Sequence, residues 1–63
     1  MKNNIRKIRV EKGITIEELA NLASTSKAYL YHLENGTREN PSYEIMKSIS
    51  HSLEKEIMDV FIL

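Results

Sequence analysis

Glycine and proline occupy only three positions in this chain, Gly13, Gly36 and Pro41, and each stands where an apolar pattern of helical period breaks off. Segments so sparsely punctuated are expected to be helices joined by short turns, an all-α fold. Between Asn3 and Lys12, Ile5 and Ile8, with Val10 beside them, are wrapped in basic residues, and Gly13 supplies a stop. Thr15-Ile16-Glu17-Glu18 has the form of a capping box, in which the threonine hydroxyl accepts from an early helix amide and the glutamate reaches back to the threonine amide. The second helix that starts there turns Leu19, Ala20 and Ala23 inward and halts at Ser24-Thr25-Ser26, whose side chains compete with helical backbone bonding. Ser26 is placed to cap a third helix running to about Glu34, with Leu30 and Leu33 on its buried side and Gly36 free to close it left-handed. Asn40-Pro41-Ser42 opens a fourth helix, whose Met46, Ile49 and Leu53 share one face; Tyr43 is assigned to the core beside them. After Glu54-Lys55-Glu56, the residues Ile57, Val60 and Phe61 form a short fifth helix.

With 63 residues there is room for one domain, residues 1–63, and none for a separate catalytic or ligand-sensing module. Cysteine is absent, so neither disulfides nor thiolate zinc sites can staple it, and stability has to come from packing, assisted by self-association. No apolar run approaches the ~18 residues that span a bilayer, and residues 1–10 lack the stretch of a secretion signal, so a soluble, cytoplasmic protein without a membrane partner is expected. The formal net charge of zero conceals an asymmetry. Residues 1–12 carry Lys2, Arg6, Lys7, Arg9 and Lys12 against Glu11 alone, a surplus of four positive charges that the rest of the chain cancels.

Two short helices joined by about three turn residues, the second studded with hydrogen-bonding side chains, follow the helix-turn-helix plan. A helix of about eight residues is only ~12 Å long, comparable to the width of the DNA major groove. In Gly13-Ile14-Thr15, Glu18-Leu19-Ala20, Leu33-Glu34-Asn35-Gly36 and Asn40-Pro41-Ser42, with Ile49 and Leu53 behind, the chain resembles the phage-repressor and Cro-like, or Xre-like, helix-turn-helix family from about Ile5 to Phe61. The resemblance implies a five-helix, lambda-repressor-like DNA-binding domain, and it assigns roles by position. Base contacts fall on Lys27, Ala28, Tyr29 and His32, with Tyr29 as the tyrosine that touches DNA. Backbone contacts fall on Arg6, on the start of helix two at Ile16 and Glu17, on Tyr31, on the amides near Asn35 and Gly36, and on Thr37 and Arg38. Arg9 and Glu34 form a structural ion pair. Three positions depart from the family. Ile16 replaces a glutamine that binds phosphate, Ser24 replaces a turn glycine and so implies a different turn, and Glu54 replaces a glycine between the last two helices, which would let them run together or bend differently.

No pattern supports catalysis. His32 and His51 have no second histidine or cysteine at ligand spacing, and Glu17-Glu18 diverge on a helix, so neither an enzyme nor a metal or other cofactor is expected, nor a small-molecule ligand. Asn35-Gly36-Thr37 matches a glycosylation acceptor, but as the end of a helix it reads better as a cap. Ile57, Val60, Phe61, Ile62 and Leu63 are more apolar residues than one small core is expected to hide, and are assigned to a two-fold dimer interface. The expected function is sequence-specific binding of double-stranded DNA by a homodimeric transcriptional regulator, a repressor on a near-palindromic operator. An antitoxin-like regulator that also binds a toxin, or an interaction module on the same scaffold without DNA binding, are the alternatives.

Overall fold

The computed structural model describes residues 2–37 and 40–62; the expected roles of Arg38 and Leu63 lie outside the described residues. In chain order the elements are β1 (Lys2–Asn3), α1 (Ile5–Glu11), α2 (Ile16–Leu22), α3 (Lys27–Glu34), α4 (Tyr43–Ser52), α5 (Ile57–Val60) and β2 (Phe61–Ile62). Three of the helices begin where a hydroxyl satisfies an amide that has no partner within its own helix. Thr15 Oγ1 accepts from the Glu18 amide at 3.0 Å while Glu18 Oε1 accepts from the Thr15 amide at 3.0 Å. That bond from the Thr15 amide, reinforced by the Thr15 hydroxyl, holds the Glu18 carboxyl below its ordinary pKa of 4.5. Ser26 and Ser42 cap α3 and α4 in the same way, accepting from Tyr29 and Ile45.

The departures at Ser24 and Glu54 leave the turns intact. Ser24 takes the left-handed conformation itself, with φ of 55°, and Glu54 does likewise at 58°, so α4 and α5 remain separate helices. The expectation of a different turn at Ser24, or of merged or differently bent helices at Glu54, is corrected: the surrounding bonds, Thr25 N to Ala20 O at 2.9 Å and Lys55 N to Ser50 O at 2.9 Å, hold each residue in a conformation its Cβ disfavours.

All five helices supply one core, built from Ile5, Leu19, Leu30, Leu33, Ile49, Leu53, Val60 and Phe61 among others. Each such side chain contributes about 1.5–3 kcal/mol by leaving water. Tyr43 is not among them. It is 63% exposed, because as the first helical residue of α4 it stands outside the stripe made by Ile49 and Leu53, and the assignment of Tyr43 to the core is corrected. A two-residue antiparallel ladder, unforeseen in the sequence, joins the chain's first and last described segments, pairing Lys2 with Ile62 and Asn3 with Phe61. Asn4 tightens it by donating its amide to Val60 O at 2.7 Å and its side chain to Asp59 O at 3.1 Å. Asn3 Nδ2 donates to Leu33 O at 2.9 Å, so the same clasp also holds the end of α3.

Candidate nucleic-acid interface

The position of α3 is fixed from behind. Leu30 and Leu33 are fully buried, and the Ser26 cap and the left-handed Ser24 set the angle at which the helix leaves α2. Its opposite side presents Lys27, Ala28, Tyr31 and His32, all exposed. Tyr29 is half-buried against the core while Tyr31 is 56% exposed. Tyr31 is thus the more open of the two tyrosines, for a physical reason: Tyr29 precedes Leu30 and follows the inward turn of the helix, whereas Tyr31 lies one turn on from Lys27 and Ala28. The Tyr31 and His32 rings meet edge to face at 5.6 Å.

Beneath α3, Arg9 is locked in place. Its Nε and Nη2 donate to the two Glu34 carboxylate oxygens at 2.8 and 3.3 Å, and its Nη1 donates to Ile14 O at 3.0 Å. Glu34 is almost wholly buried, so the pair joins α1, the α1–α2 turn and the end of α3 as one fixed unit. Arg6, Ile16, Tyr31 and Asn35 surround a recess of about 350 Å³ above this pair. With Arg9 and Glu34 neutralising each other, Arg6 is the positive group left facing that recess. Ile16 is half-buried against the core and brings only an apolar wall, and Glu17 is exposed beside it.

At the far end of α3 the geometry corrects three expected phosphate donors. The amides of Asn35 and Gly36 are engaged in closing the helix, on Tyr31 O at 3.1 Å and Leu33 O at 3.2 Å. Thr37 turns both of its donors onto His32 O, the amide at 3.0 Å and the hydroxyl at 3.1 Å. None of the three amides is left for an anion; the Asn35 side chain, exposed, remains.

The expected dimer surface divides. Val60 and Phe61 are buried inside the monomer, 0% and 1% exposed, and cannot meet a second copy, because α5 and β2 turn them into the shared core; their assignment to an interface is corrected. Ile57 is half-buried beside the exposed Tyr43 and Met58, the latter 80% exposed, and together with the exposed Glu56 they line one shallow surface. Ile62 lies elsewhere, near Asn35 and Gly36. Met58 went unremarked in the sequence; only its adjacency to Tyr43 across α4 and α5 gives it significance. Among the described residues no three acidic or histidine side chains gather as a metal site, and no helix is long and apolar enough to cross a membrane.

Residues 3–58 match the helix-turn-helix domain family. The chain belongs to that family. This helix-turn-helix domain is of the lambda-repressor, or Xre, type, and it has the fold of DNA-binding transcriptional regulators. It is 40% identical over 57 residues to the HTH-type transcriptional regulator SlrR of Bacillus subtilis, which covers 90% of this chain and 38% of SlrR. It is 34% identical over 53 residues to SinR of the same organism, covering 84% of this chain and 48% of SinR. The domain therefore spans less than half the length of either relative. Among solved structures it superposes on the restriction-modification controller protein C.AhdI from Aeromonas hydrophila with a TM-score of 0.84 at 30% identity, covering 90% of this chain and 85% of that one. The crystal structure of SinR in complex with DNA matches with a TM-score of 0.81 at 33% identity, over 86% of each chain.

Proposed function

We propose that this domain binds double-stranded DNA sequence-specifically as a homodimeric transcriptional regulator, inserting α3 into the major groove and repressing by occupying a near-palindromic operator. The observation that carries the reading is the two-sidedness of α3. An eight-residue helix buries Leu30 and Leu33 completely and leaves Lys27, Ala28, Tyr31 and His32 standing clear on the other side, on a scaffold that matches a DNA-bound relative over 86% of its length. Lys27 donates to guanine N7 and O6, Ala28 offers a methyl contact to thymine, and His32 reads a base edge. Arg6, Tyr31 and the Asn35 side chain surround the recess in which a phosphate fixes the register.

In this reading the second copy packs against the Tyr43, Ile57 and Met58 surface, where the exposed Tyr43 and Met58 lie side by side. Two recognition helices ~34 Å apart would then read successive major grooves on one face of the duplex.

The test is selection of bound duplexes from a random pool, followed by a salt series on the selected site. An inverted repeat is expected, with affinity falling at a log-log slope of about −0.9 per phosphate contact, and with Lys27→Ala relaxing the preference at one or two base positions by about 1–3 kcal/mol. A pool that yields no shared sequence, or binding indifferent to salt, would refute the reading.

A further inference from the structure

His32 and Thr37 are tied to one another in a way that bears on which ring nitrogen carries a hydrogen. Thr37 Oγ1 lies 3.1 Å from the carbonyl oxygen of His32 and 3.1 Å from His32 Nδ1. A carbonyl oxygen can only accept, and in the contact with His32 O the Thr37 hydroxyl is the donor. With its one hydrogen engaged there, the hydroxyl meets the ring as an acceptor, the arrangement in which Nδ1 donates to Oγ1. The neutral imidazole is then held with its hydrogen on Nδ1 and its lone pair on Nε2. Among the described residues nothing bonds to Nε2, and the His32 side chain is exposed on the same side of α3 as Ala28. The Tyr31 ring packs against the imidazole, nearly perpendicular to it.

From this we infer that Thr37 is a specificity-positioning residue: by fixing the tautomer of His32 it makes the recognition helix present a hydrogen-bond acceptor, selecting a base that carries an exocyclic amino group at that point in the major groove. This rests on the DNA-binding reading above and deepens it. Adenine offers N6–H₂ and cytosine N4–H₂ there, while guanine and thymine turn the O6 and O4 acceptors to the same place. Acceptor against acceptor leaves both lone pairs desolvated without a hydrogen between them, which disfavours the keto bases. Thr37 thus acts on the bases through His32 and not on phosphate.

Two measurements test this. In the free protein at mildly alkaline pH, the nitrogen-15 chemical shifts of His32 should show a hydrogen-bearing Nδ1 and a bare Nε2, and Thr37→Val should move the ring towards a mixture of tautomers. On duplexes, the unaltered chain should favour adenine or cytosine over guanine or thymine by about tenfold at the one position per half-site whose preference disappears in His32→Ala. Replacing that base by its analogue lacking the amino group should cost a similar factor. Thr37→Val should bring the amino-to-keto ratio to within about twofold of unity, and Thr37→Ser, which keeps the hydroxyl, should restore it; a merely structural role would lower affinity for all duplexes alike. A hydrogen found on Nε2 in the free protein, or full discrimination retained by Thr37→Val, would overturn the inference. Duplex binding with no preference that depends on the ring overturns this inference alone, whereas no binding to any duplex overturns the DNA reading and this inference with it.

Discussion

Ser24 sits with φ of 55° at the joint between α2 and α3, a conformation that costs a residue with a Cβ roughly 1–2 kcal/mol. Glycine would remove that strain and return part of the gain as extra freedom in the unfolded chain, about 0.5–1 kcal/mol. Ser24→Gly is therefore expected to stabilise the domain by roughly 0.5–1 kcal/mol, seen as a melting temperature raised by about 4 °C with α3 unmoved. An unchanged or lowered melting temperature would mean that the serine hydroxyl contributes something the backbone geometry does not reveal. The residue scale is also where the sequence was least legible at the site itself. The family resemblance assigns phosphate contacts by position to Thr37 and to the amide of Gly36. Whether a donor is free depends on bonds made to residues five positions back, Thr37 to His32, or three back, Gly36 to Leu33, and those follow only from how the chain leaves α3.

The helices themselves were readable because their boundaries are set by local chemistry. Thr15, Ser26 and Ser42 cap where a short polar side chain precedes an apolar period, and that signal needs no tertiary information. Short elements carry no such signal. The four residues of α5 barely complete one turn, so periodicity could not say which of Ile57, Met58 and Val60 faces inward, and the two-residue strands β1 and β2 have no alternation to detect. Tyr43 was misassigned for a related reason, since at the first position of α4 the stripe has not yet begun. What binds the elements together is testable through Arg9 and Glu34, which link α1 to α3 with side chains 15% and 5% exposed. Removing one partner strands the other in a largely buried site, so Glu34→Ala is expected to cost about 3 kcal/mol in urea denaturation, whereas Arg9→Met combined with Glu34→Leu should recover most of that loss. Equal destabilisation by the single and double variants would assign the effect to lost packing instead of an orphaned charge.

At the scale of the whole molecule, the apolar residues near the end of the sequence serve two masters. Val60 and Phe61 close the core, and Met58 with Tyr43 faces outward. Met58→Glu should therefore leave the helical circular-dichroism spectrum intact while shifting the sedimenting species from dimer to monomer; a dimer that persists would place the two-fold contact elsewhere. Ending the chain after Asp59 should instead abolish the fold, because Phe61 alone is worth about 3–5 kcal/mol in a domain whose total stability is of that order. The clasp of Asn3 on Phe61 carries a consequence of another kind. With Lys2–Asn3 and Phe61–Ile62 hydrogen-bonded side by side, the backbone between residues 2 and 62 is nearly a closed ring, and where such a ring is opened is a matter of topology more than of packing. A circular permutation of this domain, with residues 62 and 2 bridged by a few flexible residues and the ring opened at the exposed Lys12–Gly13 turn, should fold to the same structure.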